Sequence, residues 1–237
     1  MKSTASPTHD SFSNTDIAPF TRPYTTVDLV IFTVLSDALQ VLLVQRPSDA
    51  AEPFPSQWAL PGGFVNTALD TDLWACARRK LYEKTGINSP YFEQLGSWGS
   101  ATRDPRGWSA THAYFALIPA ANLALTQGAN AADVGWSPVD KALHGPPLAF
   151  DHGQILSAAV ERLRSKDEYT SLPAFLLSEP FTLPQLQQMY EVVLGRPVDK
   201  SGFRTRTLAA DCLVEAGHLG GHAKPPAKSY PQTDLNP

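Results

Sequence analysis

The chain has 237 residues, enough for one large domain or two small ones, and its hydrophobic fraction of 43% and charged fraction of 18% are ordinary for a globular protein. The formal net charge of −4 excludes an overall attraction to nucleic acid, so any DNA contact needs a local basic patch. Two cysteines exclude a disulfide framework and no apolar run is long enough to span a membrane, so we expect a cytoplasmic protein without a membrane partner.

The first part of the chain is predicted to be rich in strands. Residues 1–20 are polar, lack the apolar core of a signal peptide and are predicted to form a disordered arm. Two β-branched, apolar stretches at residues 24–35 and 39–46 then predict two strands joined by a turn. Further strands are expected at residues 91–98, 112–118 and 134–136.

A strand, a Pro-Gly-Gly turn, a loop and a helix are predicted in residues 58–87. This stretch resembles a Nudix box, in which an arginine of the helix is followed by three carboxylate positions that gather around Mg²⁺ and the pyrophosphate it activates. Counted back from the glycine that ends the helix, the arginine is Arg79, and the three carboxylate positions hold Lys80, Glu83 and Lys84. These positions share one helix face, so two ammonium groups replace ligands of a hard cation. We expect a retained pocket that binds rather than hydrolyses.

Two pairs of residues in this predicted helix, residues 70–85, have alternative interpretations. Asp70 and Asp72 can each cap the N-terminus of the helix, or each can replace the missing upstream glutamate as a metal ligand. Lys80 and Lys84 can supply the countercharge that Mg²⁺ would otherwise give to a pyrophosphate, or they can be solvated surface residues.

After the last predicted strand, the pattern becomes helical. A helix is predicted at residues 151–166, with cations towards its C-terminus. Thr182 and Pro184 open a second helix that Gly195 ends, and a third is predicted at residues 200–216. A basic tail with Gly-Gly and Pro-Pro pairs is compatible with a short hairpin. The order helix, turn, helix, hairpin is typical of a winged helix-turn-helix domain.

The third of these helices begins with cations and hydroxyls, which a recognition helix presents to phosphates and base edges in the major groove. From residue 196 onward, six Lys and Arg stand against four Asp and Glu, a weak excess that a small helical dimerisation module would also give. The candidate DNA-binding residues are Lys200, Ser201, Arg204, Thr205 and Arg206 in the helix, and Lys224 and Lys228 in the expected wing.

Four phrases carry a more specific resemblance: RDPRG, LAFDHGQIL, FTLPQLQQMYEVVLG and DKSGFRTRTL, in this order after the altered Nudix box. Over about residues 24–230, the chain is similar to the NrtR family of Nudix-related transcriptional regulators. The resemblance implies a Nudix-like α/β/α sandwich, of the α/β or α+β class, followed by a winged helix-turn-helix domain. The expected domains are a sensor at residues 21–147, a linking helix at residues 148–172 and a winged helix at residues 173–237.

The same resemblance implies the partners. ADP-ribose or a related NAD metabolite is expected to bind the sensor as an effector, with no cofactor and no metal. A homodimer is expected to bind a palindromic DNA operator near genes of NAD or pentose metabolism. The resemblance implies repression that the ligand relieves, and activation is the alternative.

The predicted pocket needs fixed cations and close backbone donors for a pyrophosphate, and a flat ring to stack on adenine. His152 has two interpretations: a general base or metal ligand, or a histidine that caps a helix or satisfies a buried hydrogen bond, which is the more common case. The candidate ligand-binding residues are Arg46, Gly62, Gly63, Arg79, Lys80, Glu83, Arg103, Arg106, Trp108, Phe150 and His152, and no catalytic residue is expected.

Two other functions are compatible with these residues. A Mg²⁺-dependent ADP-ribose pyrophosphatase would hold its metal through Glu83 with Asp70 or Asp72, against the charge of the two lysines. An RNA or protein adaptor would use the winged helix as an interaction surface and would bind no operator. Turnover of ADP-ribose and a gel shift on upstream DNA separate the three functions.

Overall fold

The computed structural model describes residues 22–89, 91–122, 133–167, 171–209, 214–215 and 228–229, so the predicted disordered arm at residues 1–20 lies outside the described residues. The strands are β1 (Tyr24–Leu35), β2 (Ala38–Gln45), β3 (Trp58–Ala59), β4 (Gly62–Phe64), β5 (Tyr91–Ser100), β6 (Ser109–Leu117), β7 (Asp133–Pro138), β8 (Val214–Glu215) and β9 (Lys228–Ser229). The helices are α1 (Leu73–Thr85), α2 (Val139–His144), α3 (His152–Asp167), α4 (Leu183–Leu194) and α5 (Lys200–Ala209), with short 3₁₀ helices at Ala120–Asn122 and Leu172–Leu176. None of the helices in the described part of the chain has the length and apolar character that a membrane span needs.

Strands β1 to β7 form one mixed sheet. Its main order is β3-β2-β1-β6-β5, with β4 paired to β1 and β7 paired to β2. Strand β1 is parallel to β6, and the other pairs are antiparallel. Residues 27–34 of β1 are all buried because the strand lies in the middle of the sheet with both faces covered, which explains its continuous apolar sequence.

Helix α1 covers one face of the sheet. Its Cys76, Ala77 and Leu81 pack against Leu29 and Ile31 of β1. They follow each other at helical spacing, so one face of the helix is apolar and turns towards the sheet.

Helices α2 and α3 cover the opposite face. Ile155, Ala159 and Leu163 of α3 share an apolar cluster with Val30 and Phe32 of β1. Alternate residues of β1 therefore serve the two clusters, as the two-residue period of a strand requires. This arrangement confirms the predicted α/β/α sandwich.

The ends of helix α1 are fixed by local chemistry. The Asp72 carboxylate accepts a hydrogen bond from the Ala75 N–H at 2.7 Å, and Gly86 closes the helix with a φ of 68°. The capping interpretation is therefore confirmed for Asp72. It is wrong for Asp70, and the helix begins three residues later than predicted, at Leu73.

Helices α4 and α5 form a helix-turn-helix. Thr182 and Gln185 make a reciprocal capping box at the start of α4, and Phe203 of α5 packs against Phe181 and Leu186. The predicted helix over residues 200–216 was too long. No glycine or proline stands between Gly202 and Gly217 to end the helix earlier, but the β-branched Val214 begins strand β8, which pairs with β9.

Helix α4 is also attached to the sandwich. Its Met189 and Val193 belong to the same apolar cluster as α3 and β1. Gln188 Nε2 donates to Asp37 Oδ1 at 2.7 Å, and Arg164 Nε of α3 donates to the Val193 carbonyl at 3.0 Å. The helix-turn-helix therefore packs directly on the sandwich.

Candidate functional site

A cleft of about 280 Å³ opens beside the Gly-Gly turn, close to the lower end of the roughly 300–1,000 Å³ of small-molecule sites. Four cations and three carboxylates line it, a formal balance of +1 that favours an anionic ligand. The cations are Arg46, Lys84, Arg103 and Arg106, and the carboxylates are Asp28, Glu52 and Asp104.

The structure places the predicted ligand-binding residues in two groups. Seven line the cleft: Arg46, Gly62, Gly63, Arg103, Arg106, Phe150 and His152. Arg79, Lys80 and Glu83 are on helix α1, next to the turn, and do not line the cleft. Trp108 is half-exposed and also lies outside the lining. The role of each in ligand binding stays a prediction.

The Gly-Gly turn needs its glycines. A Cβ atom at Gly62 would lie 2.3 Å from the Val27 carbonyl oxygen and 2.4 Å from Asp28 Oδ1, so no side chain fits while β4 pairs with β1. Gly63 has a φ of +146°, a conformation open to glycine and rarely to other residues. The backbone of this turn therefore lies closer to strand β1 than any larger residue at position 62 would allow.

Arg103 is a buried anchor. Its Nε and Nη2 donate to the Asp151 carboxylate at 2.9 and 2.7 Å, and Nη2 also lies 3.4 Å from Asp28 Oδ2. Nη1 donates to Ser109 Oγ at 3.4 Å, and the side chain is only 5% exposed. Because the guanidinium is bound on all sides by the protein, Arg103 is arranged to hold the wall of the cleft.

His152 makes a buried hydrogen bond, which confirms the second of its two predicted roles. The Leu60 N–H donates to His152 Nδ1 at 2.8 Å, so the proton is on Nε2, which lies 3.4 Å from Asp28 Oδ2. Burial raises the pKa of Asp28, but His152 and Arg103 lower it more. The pKa of this carboxyl is therefore below its ordinary value.

The sequence analysis did not select Asp28, although a signal was available. It is the one carboxylate in the twelve residues of strand β1, where residues 27–34 are buried. An ionised group in such a position needs partners, and its partners come from residues 103 and 152, far along the chain. That separation kept the network out of reach of the sequence analysis.

Cations and rings form the rim of the cleft. Arg46 lies 4.9 Å above the Phe150 ring and 3.0 Å from Glu52, and Phe54 packs against Phe150 at 4.7 Å. Phe150 has a φ of 57°, a strained backbone for a residue with a bulky side chain. In this conformation the Phe150 ring lies under the Arg46 guanidinium, and the outer face of the pair can stack on a planar ligand group.

A second rim pair joins the predicted Arg106 to Phe64, a residue that was not predicted from the sequence. Arg106 binds Asp104 at 2.8 Å and lies 5.1 Å above the ring of Phe64. Phe64 is 44% exposed, a surface aromatic next to a charged cleft. Phe64 was not predicted because only its spatial neighbours distinguish it from an ordinary exposed residue of strand β4.

The Asp70 and Glu83 carboxylates near helix α1 both accept hydrogen bonds from Arg79. Arg79 donates two hydrogen bonds of 2.7 Å to Asp70 and one of 2.7 Å to Glu83. These bonds to Arg79 hold the pKa of the Asp70 carboxyl well below its usual range, and the Asp70 side chain is 1% exposed. Asp70 therefore joins the loop to the helix by an ion pair, and this partner is the reason that it is not the cap.

The candidate DNA-binding face lies on helix α5. Asp199 accepts a hydrogen bond of 2.6 Å from the Gly202 N–H at the start of the helix, and Phe203 is buried on the inner side. Lys228 begins β9, and Lys224 lies outside the described residues. The predicted residues of the helix are all exposed: Lys200, Ser201, Arg204, Thr205 and Arg206.

Both parts of the chain match known protein families. A NUDIX domain model matches residues 25–159, and a model of the NrtR DNA-binding winged helix domain matches residues 173–231. Over 213 residues, the chain is 45% identical to the ADPR responsive transcriptional repressor NtrR of Acinetobacter baylyi, covering 89% of this chain and 82% of the relative. The chain belongs to the NrtR family of Nudix-related transcriptional regulators.

Solved structures of the NrtR family support this assignment. The Shewanella oneidensis NrtR complexed with a 27mer DNA matches with 45% identity and a TM-score of 0.76, over 87% of this chain and 92% of that chain. The NUDIX domain of the same NrtR complexed with ADP ribose matches with 44% identity and a TM-score of 0.55, over 62% and 94%. The predicted NrtR fold, a Nudix-like sandwich followed by a winged helix, is confirmed.

Proposed function

We propose that this protein is a transcriptional repressor that binds ADP-ribose, or a related NAD metabolite, in the cleft and changes its affinity for DNA in response. One observation carries the proposal: a cleft of positive formal charge and a basic helix-turn-helix are built on one continuous apolar core. The similarity to the Acinetobacter baylyi repressor over most of both chains supports it.

The DNA-binding half of the proposal concerns helix α5. Lys200, Ser201, Arg204 and Thr205 fall on one side of the helix because they are spaced by one, three and one residues. Cations on such a face bind phosphates, and hydroxyls and guanidinium groups reach base edges in the major groove. Lys228 and Lys224 are the proposed wing contacts to the backbone of the DNA.

The effector half concerns the rim and floor of the cleft. Arg46 stacks on Phe150, and the outer face of this pair can stack on a planar base, while Arg106 can turn from Asp104 to a phosphate or ribose oxygen. Arg103 and His152 act indirectly, because their hydrogen bonds hold Asp28 and the backbone of Leu60 in the wall of the cleft. Trp108, outside the lining, is proposed to contact the ligand only if the rim moves.

Helix α3 supports a physical link between the two sites. Its first residue, His152, lines the cleft, and Arg164 near its other end bonds to the Val193 carbonyl of α4. A ligand that binds two arrangements of this connection with different affinities shifts the protein between them. A homodimer with two-fold symmetry would place two recognition helices on the half-sites of a palindromic operator.

We further propose that the protein is not a pyrophosphatase. The chain is 29% identical over 117 residues to the ADP-ribose pyrophosphatase of Methanocaldococcus jannaschii, so the fold is compatible with that activity. Two of the three carboxylate positions of the resembled motif are lysines, and Glu83 is bound by Arg79. These replacements favour a binding site over a catalytic one.

The experiment is a gel shift of the purified protein on the DNA upstream of its own gene, with and without ADP-ribose, beside an assay of ADP-ribose hydrolysis with Mg²⁺. The expected result is a specific shift that ADP-ribose weakens, with no hydrolysis. Arg204→Ala is expected to weaken the shift roughly 10-fold or more, while Lys141→Ala, at an exposed residue of α2, leaves it unchanged. Hydrolysis of ADP-ribose without a gel shift would contradict the proposed regulator and indicate a pyrophosphatase.

A further inference from the structure

The Nudix resemblance implies Mg²⁺, and the side chains of this chain do not fit that ion. Magnesium needs several oxygen ligands in octahedral geometry. Within the described residues, no group of three or more His, Cys, Asp or Glu side chains could hold a metal. Glu83 lies 2.7 Å from Arg79 and 3.4 Å from Lys80, so it already neutralises cations of its own helix.

Two ammonium groups lie next to the Gly-Gly turn instead. A Cβ atom at Gly63 would be 3.4 Å from both Cε and Nζ of Lys80, so this ammonium group lies directly against the turn. Lys84 comes from the next turn of the same helix and lines the cleft together with Gly63. The two positions are i and i+4 on α1, and their side chains share one side of the helix.

Both lysines are largely withdrawn from water. The Lys80 side chain is 19% exposed, and Lys84 is buried at 9%. Burial lowers the pKa of Lys84 and the nearby charge of Lys80 lowers it further, while Glu83 opposes the shift. Bringing two cations together at low exposure is unfavourable, and a bound anion removes this cost.

We propose that Lys80 and Lys84, with the backbone of Gly63, form a metal-free site for the pyrophosphate of a nucleoside diphosphate ester. This inference rests on the proposed function, because it concerns how the effector is held. Each ammonium group donates charge-assisted hydrogen bonds to phosphate oxygens and replaces the countercharge of a divalent ion. The protein therefore senses its effector independently of free Mg²⁺.

The test is isothermal titration calorimetry of the full chain with ADP-ribose, in EDTA and in excess Mg²⁺. The expected wild-type affinities agree within about 2-fold in the two buffers, because no interaction depends on the metal. Lys80→Gln and Lys84→Gln are each expected to weaken binding in EDTA by roughly 10- to 100-fold. Lys141→Gln, at an exposed lysine on α2, is the matched control and retains wild-type affinity.

A charge reversal gives a positive result to look for. The double variant Lys80→Glu with Lys84→Glu sets three carboxylates at i, i+3 and i+4 together with Glu83. It is expected to lose binding in EDTA and to regain part of it in Mg²⁺. Circular dichroism melting and a gel shift without ligand show that each variant is folded and competent for DNA.

The outcomes separate this inference from the proposed function. Wild-type binding that falls 10-fold or more in EDTA would overturn the metal-free site while the regulator stands. Unchanged affinity in both folded glutamine variants would also overturn it. Operator binding with no ADP-ribose binding in either buffer would instead overturn the proposed effector, and the metal-free site with it.

Discussion

Substituting the buried Arg103 tests the network that holds the wall of the cleft. Its guanidinium serves Asp151 at 2.7 Å and Asp28 at 3.4 Å, and the three side chains are 5%, 15% and 8% exposed. Arg103→Met keeps most of the volume but leaves two carboxylates without their cation. Removing one partner of a buried ion pair costs about 3–5 kcal/mol, so at an m-value of about 2–3 kcal/mol/M the urea midpoint should fall by roughly 1–2 M.

Arg106→Met is the matched control in the same loop. Its side chain is 36% exposed and binds a single carboxylate, that of Asp104. In the variant Asp104 still accepts the hydrogen bond of 3.0 Å from the backbone N–H of residue 106. We expect a loss of about 1 kcal/mol in the free energy of unfolding. Both variants are measured by urea unfolding followed by tryptophan fluorescence and circular dichroism.

The pH dependence of the Arg103→Met effect has a definite sign. In the wild type the pKa of Asp28 is below its unfolded value, so its ionised form stabilises the protein above about pH 4, and this contribution is lost as the pH falls. In the variant His152 still lowers this pKa but the Arg103 cation is gone, so the pKa of Asp28 rises and its protonation relieves part of the penalty. The gap in stability should therefore narrow from pH 7 to pH 4. A gap that widens, or equal losses at positions 103 and 106, would refute the reasoning.

Three further predictions concern the turn, the loop and the capping box. Gly62→Ala forces a Cβ atom to 2.3 Å from the Val27 carbonyl oxygen, so it should cost at least about 2 kcal/mol in urea and abolish ADP-ribose binding in calorimetry. Asp70→Asn weakens the bonds to Arg79 and should cost about 2 kcal/mol at pH 7; because the pKa of Asp70 is lowered, the difference should shrink below pH 4, and a constant difference would contradict the assignment. Thr182→Ala removes a helix cap and should lower Tm by roughly 2–4 °C in a calorimetric scan; an unchanged Tm would contradict the capping box.

Local signals in the sequence predicted the elements they control. The β-branched run from residue 24 to 35 gave β1 its observed bounds, and Gly86 and Gly195 end their helices in the left-handed conformation expected of them. The predicted end of α5 was wrong because helical spacing continued through residues whose β-branched member, Val214, pairs with Ser229 of the next strand. Strand pairing overrides local helical periodicity.

The candidate site divides along the same line. Gly62, Gly63 and the two lysines of α1 follow from their spacing in one short stretch. Asp28 and Arg103, 75 residues apart, meet only because β1 lies beside the strand that follows the arginine loop. The sequence shows that such a residue is a charged group within an apolar stretch. Its ion-pair partner follows only from the tertiary structure.

The apolar cluster shared by the sandwich and helix α4 has a consequence for how the protein is degraded in the cell. Met189 and Val193 are packed in the same core as Phe32 and Leu163, so helix α4 cannot leave the sandwich without opening that core. We therefore expect helix α4 and the sandwich to unfold together in one cooperative transition. A cell that degrades unfolded chains would therefore remove the sensor and the DNA-binding region together. No DNA-binding region without its sensor would then remain to occupy an operator.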